Sequence, residues 1–274
     1  MKNFFVLLYI MALSVVHVSA SSLELFKDQS GVLDIAGGTA HLPVMKQAAK
    51  NIMMVNPAIK ITVTGGGSGV GVKKLAEGLI SIGNTGRPLK EFEVEQYGLV
   101  SFPFAIDGVT IIVNPSNPIT QLTKLQLKKI FSGKIRNWKE VGGNNAPISL
   151  YIREDGSGTR EVFEDKVMHK THPYKKANVF NSTGSIKTAI SQDKNAIGYI
   201  GIGYLDSSVK GLVVDNMIPT QENTFNGSYT ISRLLYMNTK GEPKGITKLF
   251  IDYIYSPDGR DIITKAGYIP IERE

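Results

Sequence analysis

Apolar positions in this chain fall into short extended runs that alternate with stretches of helical spacing, and turn-forming residues mark most changes between the two. Residues 32–36 and 59–64 read as strands, each followed by a polar turn and a helical pattern, at 42–54 and around 70–76. A strand is expected at 79–82, with 84–88 as the turn behind it and a helix at 89–96 whose Lys90, Glu91, Glu93 and Glu95 face outward. Residues 99–104 and 108–113 read as two apolar strands separated by Asp107, and Asn114-Pro115-Ser116-Asn117-Pro118 closes that unit. Then come a helix at 122–131, an irregular stretch at 132–138, a strand at 148–152 and a helix at 160–168. Strands at 178–180 and 196–200 flank a helix at 185–192, and 212–214 returns extended. The chain ends with a strand at 229–236 and helices at 244–254 and 257–265. Such alternation predicts an α/β protein with mostly parallel sheets.

The strand-to-helix turns carry the candidate chemistry. Arg153-Glu154-Asp155-Gly156-Ser157-Gly158-Thr159 joins a strand to a helix, and Arg153 can fork onto two oxygens of a tetrahedral anion. Ser157, Gly158 and Thr159 would add hydroxyls and the free amides of a first helical turn, although a serine there caps any helix well. Gly65-Gly66-Gly67-Ser68-Gly69 repeats the pattern in the first half, with glycines that let backbone approach a ligand and Ser68 at the helix start. Thr39, after Gly37-Gly38, stands at a third such turn, where its hydroxyl can cap the helix or touch a ligand. Turns in both halves suggest two lobes gripping one anion.

Composition narrows the classes. The 274 residues, 42% hydrophobic, suffice for one large domain or two lobes. Residues 1–20 read as a secretory leader: Lys2, an apolar run over 4–16, and Val18-Ser19-Ala20 as the cleavage site. With no cysteine there is neither a lipoprotein anchor, a disulfide framework nor a thiolate site, which fits a bacterial periplasm. A formal charge of +7 helps collect anions, but the lysine pairs at 73–74, 128–129 and 175–176 are isolated and no nucleic-acid surface is expected.

Several chemistries fail on spacing. From Gly66 a nucleotide-cradling loop would need lysine after Gly71, and Val72 is there. Neither Ser68 nor Ser157 has glycine two residues away on both sides, as a nucleophile elbow requires. Past the leader only His41, His169 and His172 remain, and the last two read as a surface pair rather than a metal site. No metal, cofactor or catalytic group is expected. Trp138, the only tryptophan, is expected as a packing anchor.

Gly65 to Lys74, Ile82 to Leu89, AIDGVTIIVNPSNP from Ala105, IFSGKIRNWKEVGG from Ile130, REDGSGTREVFE from Arg153, AIGYIG from Ala196 and LLYMNTKG from Leu234 together resemble the phosphate-binding proteins of the bacterial high-affinity phosphate transporter. The resemblance runs in order over nearly the whole chain past the leader. It implies the two-lobed type II periplasmic-binding-protein fold, with lobes at 24–106 plus 216–274 and at 107–215. It implies a monomer that encloses inorganic phosphate and delivers it to the membrane permease of an ABC transporter. By position, Thr39 with the Ala40 amide, Ser68, Arg153, Ser157, Gly158 and Thr159 match the family's ligand groups, with Gly67 a further candidate. Asp155 would hold the Arg153 guanidinium or serve only as a turn aspartate. Gly86 stands where relatives often have a serine or aspartate, so Asp107 is the candidate acceptor for the phosphate proton, or else a cap for backbone amides. Arg87 would add a second cation or pair with a glutamate on the next helix. Sulfate, molybdate or tungstate binding is the alternative, and a secreted phosphatase a more distant one.

Overall fold

A computed structural model describes residues 22–273, so the expected leader at 1–20 and its cleavage site lie outside the described residues. The first part of the chain alternates β1 (Gly31–Gly37), α1 (Leu42–Val55), β2 (Ile59–Thr64), α2 (Gly67–Ala76), β3 (Ile82–Thr85) and α3 (Glu91–Tyr97). A 15-residue strand, β4 (Leu99–Val113), leads out of it. The middle part holds β5 (Gln121–Leu122), α4 (Lys124–Phe131), β6 (Ser149–Arg153), α5 (Gly158–Phe163), β7 (Asn178–Phe180), α6 (Thr183–Gln192) and β8 (Ala196–Gly201). It ends with β9 (Lys210–Gly211), β10 (Val213–Val214) and α7 (Gln221–Phe225). The return is β11 (Ser232–Lys240), α8 (Gly245–Tyr255), α9 (Pro257–Lys265) and β12 (Ile269–Pro270).

Local sequence explains most boundaries. In α1, Pro43 occupies the first turn, where its missing N–H costs nothing, and Val44, Met45, Ala48, Ala49 and Ile52 form one buried stripe. Thr123 and Gln126 close a capping box on α4, while Ser182 and Ser256 accept from Ser185 N and Gly259 N to start α6 and α9. The helix expected over 160–168 is α-helical to Phe163 and then continues as a π-helical turn over Glu164–Met168.

Two hydrophobic cores result. Leu33, Ile35, Ile61, Ile82, Phe104, Leu235 and Met237 on the sheet pack with Val44 and Ile52 of α1 and with Phe250, Ile254 and Ile263 of α8 and α9. The second core gathers Val109, Ile111, Leu127, Phe131, Phe163, Tyr199 and Leu212. Trp138 is buried in it, donating its indole N–H to Asn195 O at 3.0 Å, so it is the packing anchor expected. Tyr229 and Ile231 also enter this second core, before β11 begins.

The strand order β2-β1-β3-β11-β4-β8-β6-β7 runs through both cores. Pairs inside each half are parallel: β1 with β2 and β3, and β6 with β7 and β8. The antiparallel pairs come from β4 and β11, which connect the halves. Residues 99–108 of β4 pair with β11, and 109–113 pair with β8. The two strands read from the sequence are therefore one, because Asp107 and Gly108 stay extended where the partner changes. β3 also lies later than the expected 79–82: β1 pairs with Ile82 to Asn84, and β11 with Gly83 to Thr85. Leu79 is left 63% exposed, and Asn238 satisfies the polar end of β3 by donating to Gly83 O at 2.6 Å and Thr85 Oγ1 at 3.0 Å.

Candidate anion-binding site

Four strand-to-helix turns meet between the two cores, at the carboxyl ends of β1, β2, β6 and β7. In the first, Gly37 takes φ +129° and Gly38 N donates to Asn84 O at 2.9 Å, which locks the turn before Thr39. Tyr204 and Tyr268 donate their hydroxyls to Thr39 O and Ala40 O, both at 2.7 Å. In the second, Gly66 and Gly67 adopt φ of +132° and +82°, and Ser68 is wholly buried in the first turn of α2. Ser68 Oγ accepts from Gly86 N at 3.0 Å, so the serine proton is left to donate. Gly86 thus holds the Ser68 hydroxyl from behind.

Arg153 ends β6 with its side chain 1% exposed. Its Nε and Nη2 donate to the two oxygens of Glu154 at 2.8 and 2.9 Å, and Nη1 donates to Thr183 Oγ1 at 3.0 Å. These bonds use three of the guanidinium's five N–H groups and leave one on each terminal nitrogen, a fork that suits two oxygens of an oxyanion. Ser157 caps α5 by accepting from Arg160 N at 3.3 Å, and Gly158 and Thr159 are buried in the first turn beyond it. Of the two readings open to Asp155, holding Arg153 is corrected and the turn aspartate is the one seen: its carboxylate is 92% exposed and pairs with Arg160, while Glu154 holds Arg153. Glu154 can reach both Nε and Nη2 because its longer stem turns back beside the guanidinium, whereas the tight turn at Gly156, φ +80°, leaves Asp155 facing outward.

The halves touch across these turns. Thr39 Oγ1 lies 3.0 Å from Thr183 Oγ1 and accepts from Thr183 N at 3.2 Å. Gly69 N donates to Gly156 O at 3.0 Å. A Cβ on Gly67 would stand 2.8 Å from Glu154 Oε1, and one on Gly158 would stand 2.5 Å from Ser68 Oγ and 3.1 Å from the Gly86 backbone. Serine, glycine and arginine turns from opposite halves are thus brought into one buried place. Arg87 is spent on carboxylates: its terminal nitrogens bind Glu93 at 2.7 and 2.8 Å, and Nε lies 2.8 Å from Glu161 on α5. Of the two roles open to Arg87, pairing with the next helix is the one seen, with a bridge to the opposite half added.

Asp107 is fully buried, and its Oδ2 accepts from Arg233 Nε and Nη2 at 3.1 and 2.7 Å, while Oδ1 has no hydrogen-bond partner. Burial pushes its carboxyl above the usual range against the opposing pull of Arg233. The Arg233 guanidinium lies directly behind Gly86, where a Cβ would meet Nη1 at 2.6 Å. His41 is buried beside the first turn, and burial together with the Arg233 charge lowers its pKa to about 3, so it is a neutral packing group. Sequence reasoning missed Thr183, Glu154 and Arg233. Thr183 had a visible signal: Asn181-Ser182-Thr183-Gly184 follows a strand and starts a helix, as the other turns do. Arg233 had none, since its role depends on pairing β11 against β4.

Among the described residues, no group of three or more His, Cys, Asp or Glu side chains is placed to hold a metal, and no helix is long and apolar enough to cross a membrane. The chain matches the PBP superfamily domain over residues 27–258. It is 38% identical over 245 residues to the phosphate-binding protein PstS of Bacillus subtilis, covering 88% of this chain and 81% of that protein. PstS of Borreliella burgdorferi is 31% identical over 99% of this chain and 100% of its own length. An ABC-transporter substrate-binding protein from Clostridium perfringens, solved with bound phosphate, superposes with a TM-score of 0.83 at 38% identity, covering 88% of this chain and 100% of that one. An ABC-type phosphate transport receptor from Vibrio cholerae gives 0.71 at 34% identity, covering 86% and 99%. With a matching domain over most of its length and full-length relatives of one kind, the chain belongs to the PstS family of the PBP superfamily, and its fold is the two-lobed type II α/β fold.

Proposed function

We propose that the protein captures inorganic phosphate outside the cytoplasm and delivers it to the membrane permease of an ABC transporter, acting as a monomeric binding protein and not as an enzyme. The observation that carries this reading is the meeting of hydroxyls and first-turn amides from both halves around a buried guanidinium with two N–H groups to spare. Thr39, the Ala40 amide, Ser68, Arg153, Ser157, Gly158 and Thr159 are the ligand groups, and Gly67 serves by letting the backbones meet. Release of the leader after Ala20 would leave the chain in the periplasm. The lobes proposed are 24–106 plus 216–274 and 107–215; the passage from one core to the other between Asp107 and Val109 supports the first division. That Tyr229 and Ile231 belong to the second core favours a return crossing nearer the start of β11. Contacts made by ligand with both lobes stabilise the closed form.

A panel of anions in a thermal-shift assay tests the reading. Phosphate at a hundred times its Kd adds about 2.7 kcal/mol, enough to raise the midpoint by roughly 5–10 °C in a chain of this size. Sulfate, molybdate or tungstate giving the larger shift would replace phosphate as the guest. The panel also tests Asp107. Phosphate carries a proton that sulfate lacks, and Asp107 Oδ1 is a buried acceptor with no close hydrogen bond of its own, although the Ile202 backbone N–H also favours the charged carboxylate. Asp107→Asn is expected to weaken phosphate selectively. Equal loss for both anions would reduce Asp107 to the partner of Arg233.

A further inference from the structure

We propose that Thr183 is a positioning residue that latches the closed cleft, holding Arg153 and Thr39 in register with each other once phosphate is inside. The proposal rests on the phosphate-capture reading and adds a residue to it. Thr183 is the first residue of α6 and is completely buried, with its Oγ1 between two groups from different parts of the site. On one side it accepts from Arg153 Nη1 at 3.0 Å. On the other it meets Thr39 Oγ1 at 3.0 Å, while its own amide donates to that same oxygen at 3.2 Å.

The proton count gives this arrangement its meaning. A hydroxyl has one proton and two acceptor sites. If Thr183 donates to Thr39, then Thr39 Oγ1 has accepted from both the amide and the hydroxyl, and its own proton remains. If Thr39 donates to Thr183, then Thr183 Oγ1 has accepted from both Arg153 and Thr39, and its proton remains. Either way, one hydroxyl proton stays unused beside the two spare guanidinium N–H groups, and an anion accepts all three. Helix capping does not account for this, because the cap of α6 is Ser182. The contact with Thr39 joins the two halves, so it exists only when the cleft is shut. A latch of this kind acts on release more than on capture.

The test compares Thr183→Val with Thr183→Ser by stopped-flow phosphate binding and by melting without ligand. Valine keeps the branched shape and the backbone amide but removes both hydroxyl contacts, and serine keeps them. The bond that joins the halves is the neutral one to Thr39, whose loss corresponds to up to about tenfold, so Thr183→Val should raise the phosphate off-rate toward that factor. Its on-rate and ligand-free midpoint should stay near wild type, and Thr183→Ser should remain within about threefold of wild type. A Thr183→Val off-rate equal to wild type would overturn the latch while leaving the phosphate reading intact. So would a Thr183→Ser variant as damaged as Thr183→Val, or equal losses in the ligand-free midpoint of both. Wild-type protein that binds no phosphate would overturn the phosphate reading, and the latch with it.

Discussion

Arg153→Met is expected to lose phosphate affinity by roughly 30-fold to several thousandfold, the equivalent of the 2–5 kcal/mol that truncating one partner of a buried charged pair costs. Methionine fills most of the stem's volume, so the loss reports on charge and geometry more than on a cavity. Two further effects add to the missing bonds with ligand. Glu154 loses the cation that neutralises it, and Thr183 loses the donor that fixes its hydroxyl. Arg153→Lys is expected to recover little, because an ammonium cannot bond Glu154 through two parallel N–H groups, bond Thr183 and still offer a fork to an oxyanion. Titration calorimetry measures both variants. A Kd for Arg153→Met within about threefold of wild type would remove Arg153 from the site.

Gly158→Ala adds one methyl group and should weaken phosphate binding by roughly fivefold to more than a hundredfold, the range of the 1–3 kcal/mol that overpacking costs. Alanine is the better helix former by about 1 kcal/mol, so in α5 alone the change is favourable or neutral. The cost arises across the cleft, where the new Cβ would stand 2.5 Å from Ser68 Oγ and 3.1 Å from the Gly86 backbone. These atoms belong to the other half. The open form should therefore tolerate the methyl and the shut form should not. Calorimetry with phosphate, paired with small-angle scattering for compaction, separates the two states. Wild-type affinity together with wild-type compaction would show that Gly158 does not set the fit.

Local signals were legible where the chain itself determines the structure. Residues 59–64 and 257–265 match β2 and α9 as observed, because both are bounded by turn or capping residues. The turns at Thr39, Ser68 and Ser157 were visible for the same reason, since each follows a strand and opens a helix. The sequence misled where a distant partner decides. β3 lies later than its apolar run because β1 and β11 pair with Asn84, and Thr85 is taken up by β11. Asp107 looked like a break in a strand and is instead the place where β4 exchanges β11 for β8. Glu154 and Asp155 are neighbours of one chemical kind, and only the backbone path through Gly156 decides which of them faces Arg153.

The two strands that pass between the cores lie side by side and are bonded where they cross, with Val109 N donating to Ile231 O at 2.7 Å and Gly108 in register with Ser232. A ribbon of that construction bends with small changes in backbone angle, but its strands cannot slip along each other without breaking the ladder. Under the proposed capture of phosphate by closure, each cycle of opening and shutting would retrace one arc. The same atoms would come face to face every time, which is how a molecule with a mobile joint could maintain clearances finer than the width of a methyl group.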